Sequence, residues 1–545
     1  MHFARSRGVR IVALMSIAAA AGATGLSGVA DPNPRLPGIN QPSLLALGLR
    51  QSIVAEGSMP LENPSPGFAF YGFNDDGPHV PAAGALPAAN APVIEATKTE
   101  PDKNTYLVLP GLHGADAGYD YGSHFLFQGH ENGAGGKSFL SRVNLDADGA
   151  HRVTLLASSE SGGAPLPPID GSTWDPFAKR LLFTNEGNGT TTGGVWQATP
   201  DLPSTVVNLL GVLGRGGYEG VQVDPAGNLW LVEDIGGSTV AGAKVANSFI
   251  YRFLPKNRWD LTQGGKLQAL QVMEPNGSGP IVFNAANALT PELKDLHTYG
   301  KTFDTRWVTV HDTDVDGTAV FNANALAKAK SATPFKRPEN GLFRPGIGFR
   351  EFYFTETGDT SATSTGNADF GGFGGIYKLS QGSPVADHGK LTLFFKGDLE
   401  HTSFDNIAFW DVNHVVAVED RGDGLHAQAN ALDSGWLFDV RANFAGGAQP
   451  LRLIACGRDA LATLDGGFAG LAGFQNEGDN ELTGIHVSDG DAGIAGLLGV
   501  RAPRPFDDGW RVFYTQQHGE NATYEILEDG DNDADHGHGH GWRFP

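Results

Sequence analysis

The chain has 545 residues, 76 of them glycine, with only 18% charged. So many turn formers and so few charges exclude a scaffold of long exposed helices and favour an all-β chain. The formal charge of −23 repels nucleic acid and anionic lipid, so neither is an expected partner, whereas cations are.

Residues 1–30 read as a leader. Arg5, Arg7 and Arg10 precede an apolar run at 11–22, and small residues at 28–30 offer a cleavage site before Asp31. The run is too short for a membrane span, and no later stretch is apolar enough to be one. No adjacent arginine pair is present, so a bacterial Sec-type route to the periplasm or exterior is expected. Residues 31–104, rich in Pro, Ala and Gly, read as an irregular arm with one aromatic patch at 68–73. Regular structure is expected over 105–528.

From there a theme repeats: a β-rich run, a carboxylate, then Gly or Asn. It places Glu131 after 125–130, Glu186 after 181–185 and Glu233 with Asp234 after 229–232. It recurs with Glu356 after 351–355, Glu419 with Asp420 after 414–418, and His518 with Glu520 after 511–517. The third instance is a complete hairpin. Residues 221–223 enter a turn at Asp224-Pro225-Ala226-Gly227-Asn228, and 229–232 leave it. The start of one hairpin strand lies beside the end of the next, so Glu219 faces the same rim as Glu233. The same argument sets Glu339 beside Glu356 and Asp405 beside Glu419. Companion strands are expected at 194–197, 249–253, 375–379 and 435–438.

Successive acids lie a blade length (roughly 40–50 residues) or more apart. Six units predict a six-bladed β-propeller with helical and loop insertions. Equivalent strand ends meet at one mouth, so these acids form a ring that cations must neutralise. Arg337, in Phe335-Lys336-Arg337-Pro338-Glu339, offers a guanidinium fork for an anion or, equally, a salt bridge within the rim.

Residues 290–296 and 322–330 read as short helices. Asp312-Thr313-Asp314-Val315-Asp316-Gly317 opens like a calcium loop, but Ala323 stands at its twelfth position, so an Asp-rich turn is expected. Residues 529–545, rich in Asp, His and Gly, read as a flexible tail. The single cysteine, Cys456, rules out an intramolecular disulfide and reads as an inert core residue. No G-x-S-x-G, H-E-x-x-H or P-loop is present.

Seven stretches, in order, resemble the PhoX-type alkaline phosphatases. They are Gln128-Gly-His-Glu131, Leu182-Phe-Thr-Asn-Glu186, Tyr218-Glu-Gly-Val221 with Leu231-Val-Glu-Asp234, Ile250-Tyr-Arg-Phe253, Phe335-Lys-Arg-Pro-Glu339, Phe404-Asp-Asn406 and Gln517-His-Gly-Glu520. The resemblance implies a six-bladed propeller whose mouth holds calcium and iron and hydrolyses small phosphomonoesters. It implies that Glu131, Glu186, Glu219, Glu233, Glu339 and Glu356 ligate metal, and that Arg337, with Glu339, serves catalysis. Asp234, Asp405, Glu419, Asp420 and His518 join the expected metal set from the repeat. The family's iron-binding Cys is Asn185 here, and its His before residue 219 is Tyr218, which favours calcium over iron. A monomer is expected. Two alternatives stand: a non-catalytic calcium-stabilised propeller, or a propeller hydrolase of phytase or lactonase type.

Overall fold

The computed structural model describes residues 26–30, 41, 43–74, 96–131, 137–187, 191–421, 425, 428, 429, 431–456, 464–466, 480–518 and 521–530. Most of the leader, Glu520 and the tail beyond 530 lie outside them. Residues 28–30, the expected cleavage site, lie among them, and the Val29 N–H donates to the Arg452 carbonyl (2.9 Å).

The chain is all-β with few helices, and its sheets have a propeller-like arrangement. Four separate antiparallel sheets have blade form. The Pro101 sheet runs Pro101–Val108, His124–His130, Leu140–Asn144, Val153–Ala157. The Ser172 sheet runs Ser172–Asp175, Arg180–Asn185, Gly194–Ala198, Val206–Asn208. The Phe404 sheet runs Phe404–Phe409, His414–Glu419, Ser434–Asp439, Leu451–Cys456. The Asn480 sheet begins Asn480–Ser488, Arg511–His518, Ala522–Glu528.

The remaining two expected units are not separate. They form one nine-stranded sheet with Tyr218–Val223 at one edge and Pro338–Phe343 at the other. The cause is Thr302–Asp312, an eleven-residue strand. Its C-terminal part pairs with Gly265–Val272 and its N-terminal part with His388–Lys396. Two outer edges that would otherwise face solvent are thus hydrogen-bonded.

The first strands of the sheets touch one another in cyclic order, and Asn480–Ser488 closes back on Pro101–Val108. Both strands of the hairpin, Tyr218–Val223 and Leu229–Glu233, are buried along their whole length. Sheets pack against both of their faces, which hides the polar alternation of a one-sided strand. Side chains fasten neighbouring sheets: Thr184 Oγ1 donates to the Glu219 carbonyl (2.5 Å) and Thr355 Oγ1 to that of Asp405 (2.6 Å).

The arm departs from expectation. Leu49–Ala55 completes the Asn480 sheet beside Ala522–Glu528, and Ser43–Leu45 adds to Leu451–Cys456. Pro60–Ser65 pairs with Phe68–Phe70. The first propeller strand also starts at Pro101, before the expected 105. The two helices form at Pro291–Leu296 and Ala323–Ala329, capped by Thr290 and Asn322. Asp312 caps a single turn, Thr313–Asp316, and pairs with Lys266 (3.2 Å). This is the Asp-rich turn.

Candidate metal centre

Each first strand begins beside the end of its neighbour. In three units the residue two positions before the carboxylate turns the chain. Glu100, Arg337 and Ser403 have φ of 51°, 55° and 54°, the left-handed region that non-glycine residues avoid. Their carbonyls accept the N–H groups of Glu131 (3.0 Å), Thr357 (2.8 Å) and Asp420 (2.9 Å), and Gly217 accepts that of Asp234 (2.6 Å). In these four units the turn therefore holds the residue just past the second strand over the mouth.

Three overlapping groups of carboxylates converge. Asp102, Asp170 and Glu219 have oxygens within 4.8 Å of one another. So do Glu131, Asp170 and Glu186, and likewise Glu186, Glu219 and Glu339. Shared members make them one cluster. Asp405 and Glu481 border it electrostatically, with Asp102, Asp420 and Glu131 as neighbours. The ring carboxylates come from the starts of the first strands: Asp102, Asp170, Glu219, Glu339, Asp405 and Glu481. Glu131 and Glu186 join from the ends of second strands. His518 lies beside it, with Nε2 3.9 Å from Glu481 and 3.9 Å from Glu100.

Three expected ligands turn away. Glu233 accepts from Phe249 N–H (3.0 Å), Tyr251 Oη (3.1 Å) and Asn324 Nδ2 (3.0 Å). Glu356 accepts from Lys336 N–H (2.6 Å) and contacts His297 Nε2 (2.7 Å). Glu419 accepts from Thr402 and Ser434 N–H (3.0 and 2.9 Å) and from Trp436 Nε1 and Arg421 Nη2 (2.8 and 2.9 Å). The reason is the pleat. These acids end their strands, opposite Tyr218, Pro338 and Phe404, and successive side chains point to opposite faces. The next residue faces the mouth, so Asp234 and Asp420 belong to the site. In the Pro101 sheet His130 takes the inward structural place, bonded to Thr99 and Ser141 (2.9 and 2.8 Å), and Glu131 takes the mouth.

Sequence reasoning missed Asp102, Asp170, Glu481 and Glu100. The hairpin argument that found Glu219, Glu339 and Asp405 would have found the first three, had it been applied at every strand start.

Burial, then neighbouring carboxylates, pushes Glu131, Asp170, Glu186, Glu219, Glu339, Asp405 and Glu481 well above the ordinary carboxylate range. Arg337 Nε donates to Asp234 Oδ2 (2.7 Å), and its Nη2 lies 3.8 Å from Glu339. Burial opposes its charge, but Asp234, Glu339 and Glu186 hold it ionised. Its side chain keeps 19% exposure.

The donor set fits hard cations. It is all oxygen, and Asp234 Oδ1 is buried without a hydrogen-bond partner. It offers no soft donor for iron at residue 185. Asn185 fastens the loop instead, donating to the Pro168 carbonyl (2.6 Å) and accepting from Gly193 N–H (2.8 Å). Cys456 is buried in the Phe404 sheet. Tyr218 points into the core, bonded to the Leu213 carbonyl (2.7 Å).

Residues 241–496 match the family model described as alkaline phosphatase PhoX. The resemblance is to PhoX. The matched stretch carries Arg337, Glu339, Asp405, Asp420 and Glu481, among them three of the six ring carboxylates. Pseudomonas fluorescens PhoX, solved with vanadate, a transition state analogue, aligns over 92% of this chain and 98% of that one, with a TM-score of 0.53 at 13% identity. That identity speaks for the PhoX fold alone. A putative gluconolactonase aligns over 66% of this chain and 88% of its own at 8% identity, with a TM-score of 0.26, which carries no weight. No curated protein matches the sequence.

Proposed function

We propose that this PhoX-like chain is an exported phosphomonoesterase acting on small phosphate esters at the acidic mouth, with calcium held there. The observation that carries the reading is Arg337. Asp234 and Glu339 hold a partly exposed guanidinium over three fused carboxylate groups, which suits a phosphate that meets cations on one side and a fork on the other. Asp102, Glu131, Asp170, Glu186, Glu219 and Glu339 would hold the cations, bordered by Asp405, Asp420, Glu481 and His518. Bound cations would neutralise the charge that develops during phosphoryl transfer. Arg337 would orient the phosphate, and the desolvated walls would strengthen each contact.

We read the nine-stranded sheet as two blades fused through Thr302–Asp312, which restores a count of six. Calcium alone suffices on this reading, because residue 185 is Asn, and the enzyme works as a monomer.

The test is hydrolysis of an aromatic phosphate ester by the full chain after loading with calcium, with and without iron. Turnover with calcium that chelation abolishes is expected. No turnover in folded, calcium-loaded protein would overturn the reading, and so would turnover of a lactone in place of the ester.

A further inference from the structure

One residue below the ring carboxylates, the first strands present a second row: Lys103, Gly171, Gly220, Asn340, Asn406 and Leu482. Lys103 is the single cation in it. The side chain is buried, 3% exposed, and Nζ donates to Asn340 Oδ1 (2.6 Å). Asn340 Nδ2 in turn donates to Glu219 Oε1 (3.1 Å). In the cyclic order of first strands, those of Lys103 and Asn340 stand opposite each other, so this side chain crosses the channel.

The glycines of the row make the crossing short enough for one lysine. A Cβ at Gly171 would stand 2.0 Å from the Glu219 carbonyl oxygen, and one at Gly220 would stand 2.8 Å from that of Glu339. Adjacent backbones therefore close in at this level and narrow the channel. Burial pulls the Lys103 ammonium below its ordinary range, and the carboxylates around it, Asp405, Glu219, Asp102 and Asp170, oppose that. Asn406, fully buried in the same row, has an Oδ1 without a partner. Farther along the strands lies a mostly apolar pocket whose lining includes Lys103, Gln222, Ile407, Ile485 and His486.

We propose that Lys103 is a built-in cation that fills the channel beneath the ring and sets how many divalent ions the mouth holds. Its ammonium takes the place that an ion would occupy among Asp102, Glu219 and Asp405, with Asn340 as its fixed anchor. It also separates the acidic mouth from the apolar pocket. A buried lysine without carboxylates around it is costly, and a buried carboxylate cluster without cations is equally so; each meets the other's need here.

The inference rests on reading the ring as a cation site, and one experiment separates the two. Calcium per chain is measured by elemental analysis and calcium affinity by calorimetry, for wild type, Lys103→Met and Lys103→Arg. Lys103→Met is expected to hold one more calcium or to bind its last calcium roughly tenfold more tightly, while Lys103→Arg matches wild type. Unchanged number and affinity in Lys103→Met, or loss of calcium from it, would overturn the proposal. Wild type holding no calcium would overturn the ring reading itself. Should Lys103→Met fail to fold, Lys103→Gln, which keeps a donor for Asn340 and drops the charge, reports the same quantities under the same criteria.

Discussion

Glu233 and Asp234 are joined by one peptide, yet the first holds Phe249, Tyr251 and Asn324 in the core and the second holds Arg337 at the mouth. Glu233→Gln is expected to leave the calcium content unchanged and to cost about 1–3 kcal/mol, because an amide disturbs the three buried donors that converge on the carboxyl. Asp234→Asn is expected to melt normally and to raise KM by releasing Arg337. Thermal unfolding, elemental analysis and kinetics on the pair check this, and the reverse pattern would undo the pleat argument. Arg337→Ala is expected to lower kcat/KM by about 10²–10³-fold. Asp175 gives a pH handle away from the site. Burial raises its carboxyl from 3.8 to about 6. The folded value lies above the unfolded one, so its contribution is full below about pH 4 and fades as pH rises through about 6. Asp175→Asn keeps the acceptor for Phe177 and Ala178 N–H (2.8 and 3.2 Å). It should remove a stability loss on the order of 2 kcal/mol between pH 4 and 6, read from urea melts across that range. At this scale the sequence carried the residue types and their recurrence but not their facing. A one-residue offset sends Glu233, Glu356 and Glu419 inward, and only strand register reveals it.

Thr184 and Thr355 lie on second strands and bond to the carbonyls of Glu219 and Asp405 on the first strands of the next unit. These bonds set the spacing of the ring. Thr184→Val is expected to lower stability by about 1 kcal/mol and to weaken calcium binding, both measurable by calorimetry, whereas Thr199→Val, just past Gly194–Ala198, where Thr199 Oγ1 accepts from Thr205 N–H (2.8 Å), should affect only the first. Elements were legible where local chemistry decides them. The Asp224–Asn228 turn, the companion strands and the capped helices all follow from short-range signals. The strands Ser43–Leu45 and Leu49–Ala55 were hidden because Pro- and Gly-rich flanks mask them and their partners lie hundreds of residues away. The fusion by Thr302–Asp312 was hidden too, because nothing within an eleven-residue strand says that it pairs on both sides.

Across the whole molecule, cations held by the clustered carboxylates, as proposed, would be part of the fold's stability. Chelation of the purified protein should lower its melting temperature, and calcium should restore it in proportion to the logarithm of its concentration; a melt indifferent to chelator would remove calcium from the reading. Deleting residues 1–57 takes away the strand that covers Ala522–Glu528. The exposed edge should promote aggregation and lower the melting temperature by about 5 °C or more, as scattering and calorimetry would register.

The pairing of Leu49–Ala55 with Ala522–Glu528 also dictates an order in time. During synthesis the first of these strands leaves the ribosome early and waits for nearly the whole chain before its partner exists. Intermediate units can form as they emerge, but the circle cannot shut before the final hairpin is delivered, and such distant contacts form slowly. Until then the carboxylates on the first strands remain apart and hydrated. On the proposed reading tight ion capture would therefore be a late event, and a chain crossing a membrane unfolded would acquire its cations only on the far side.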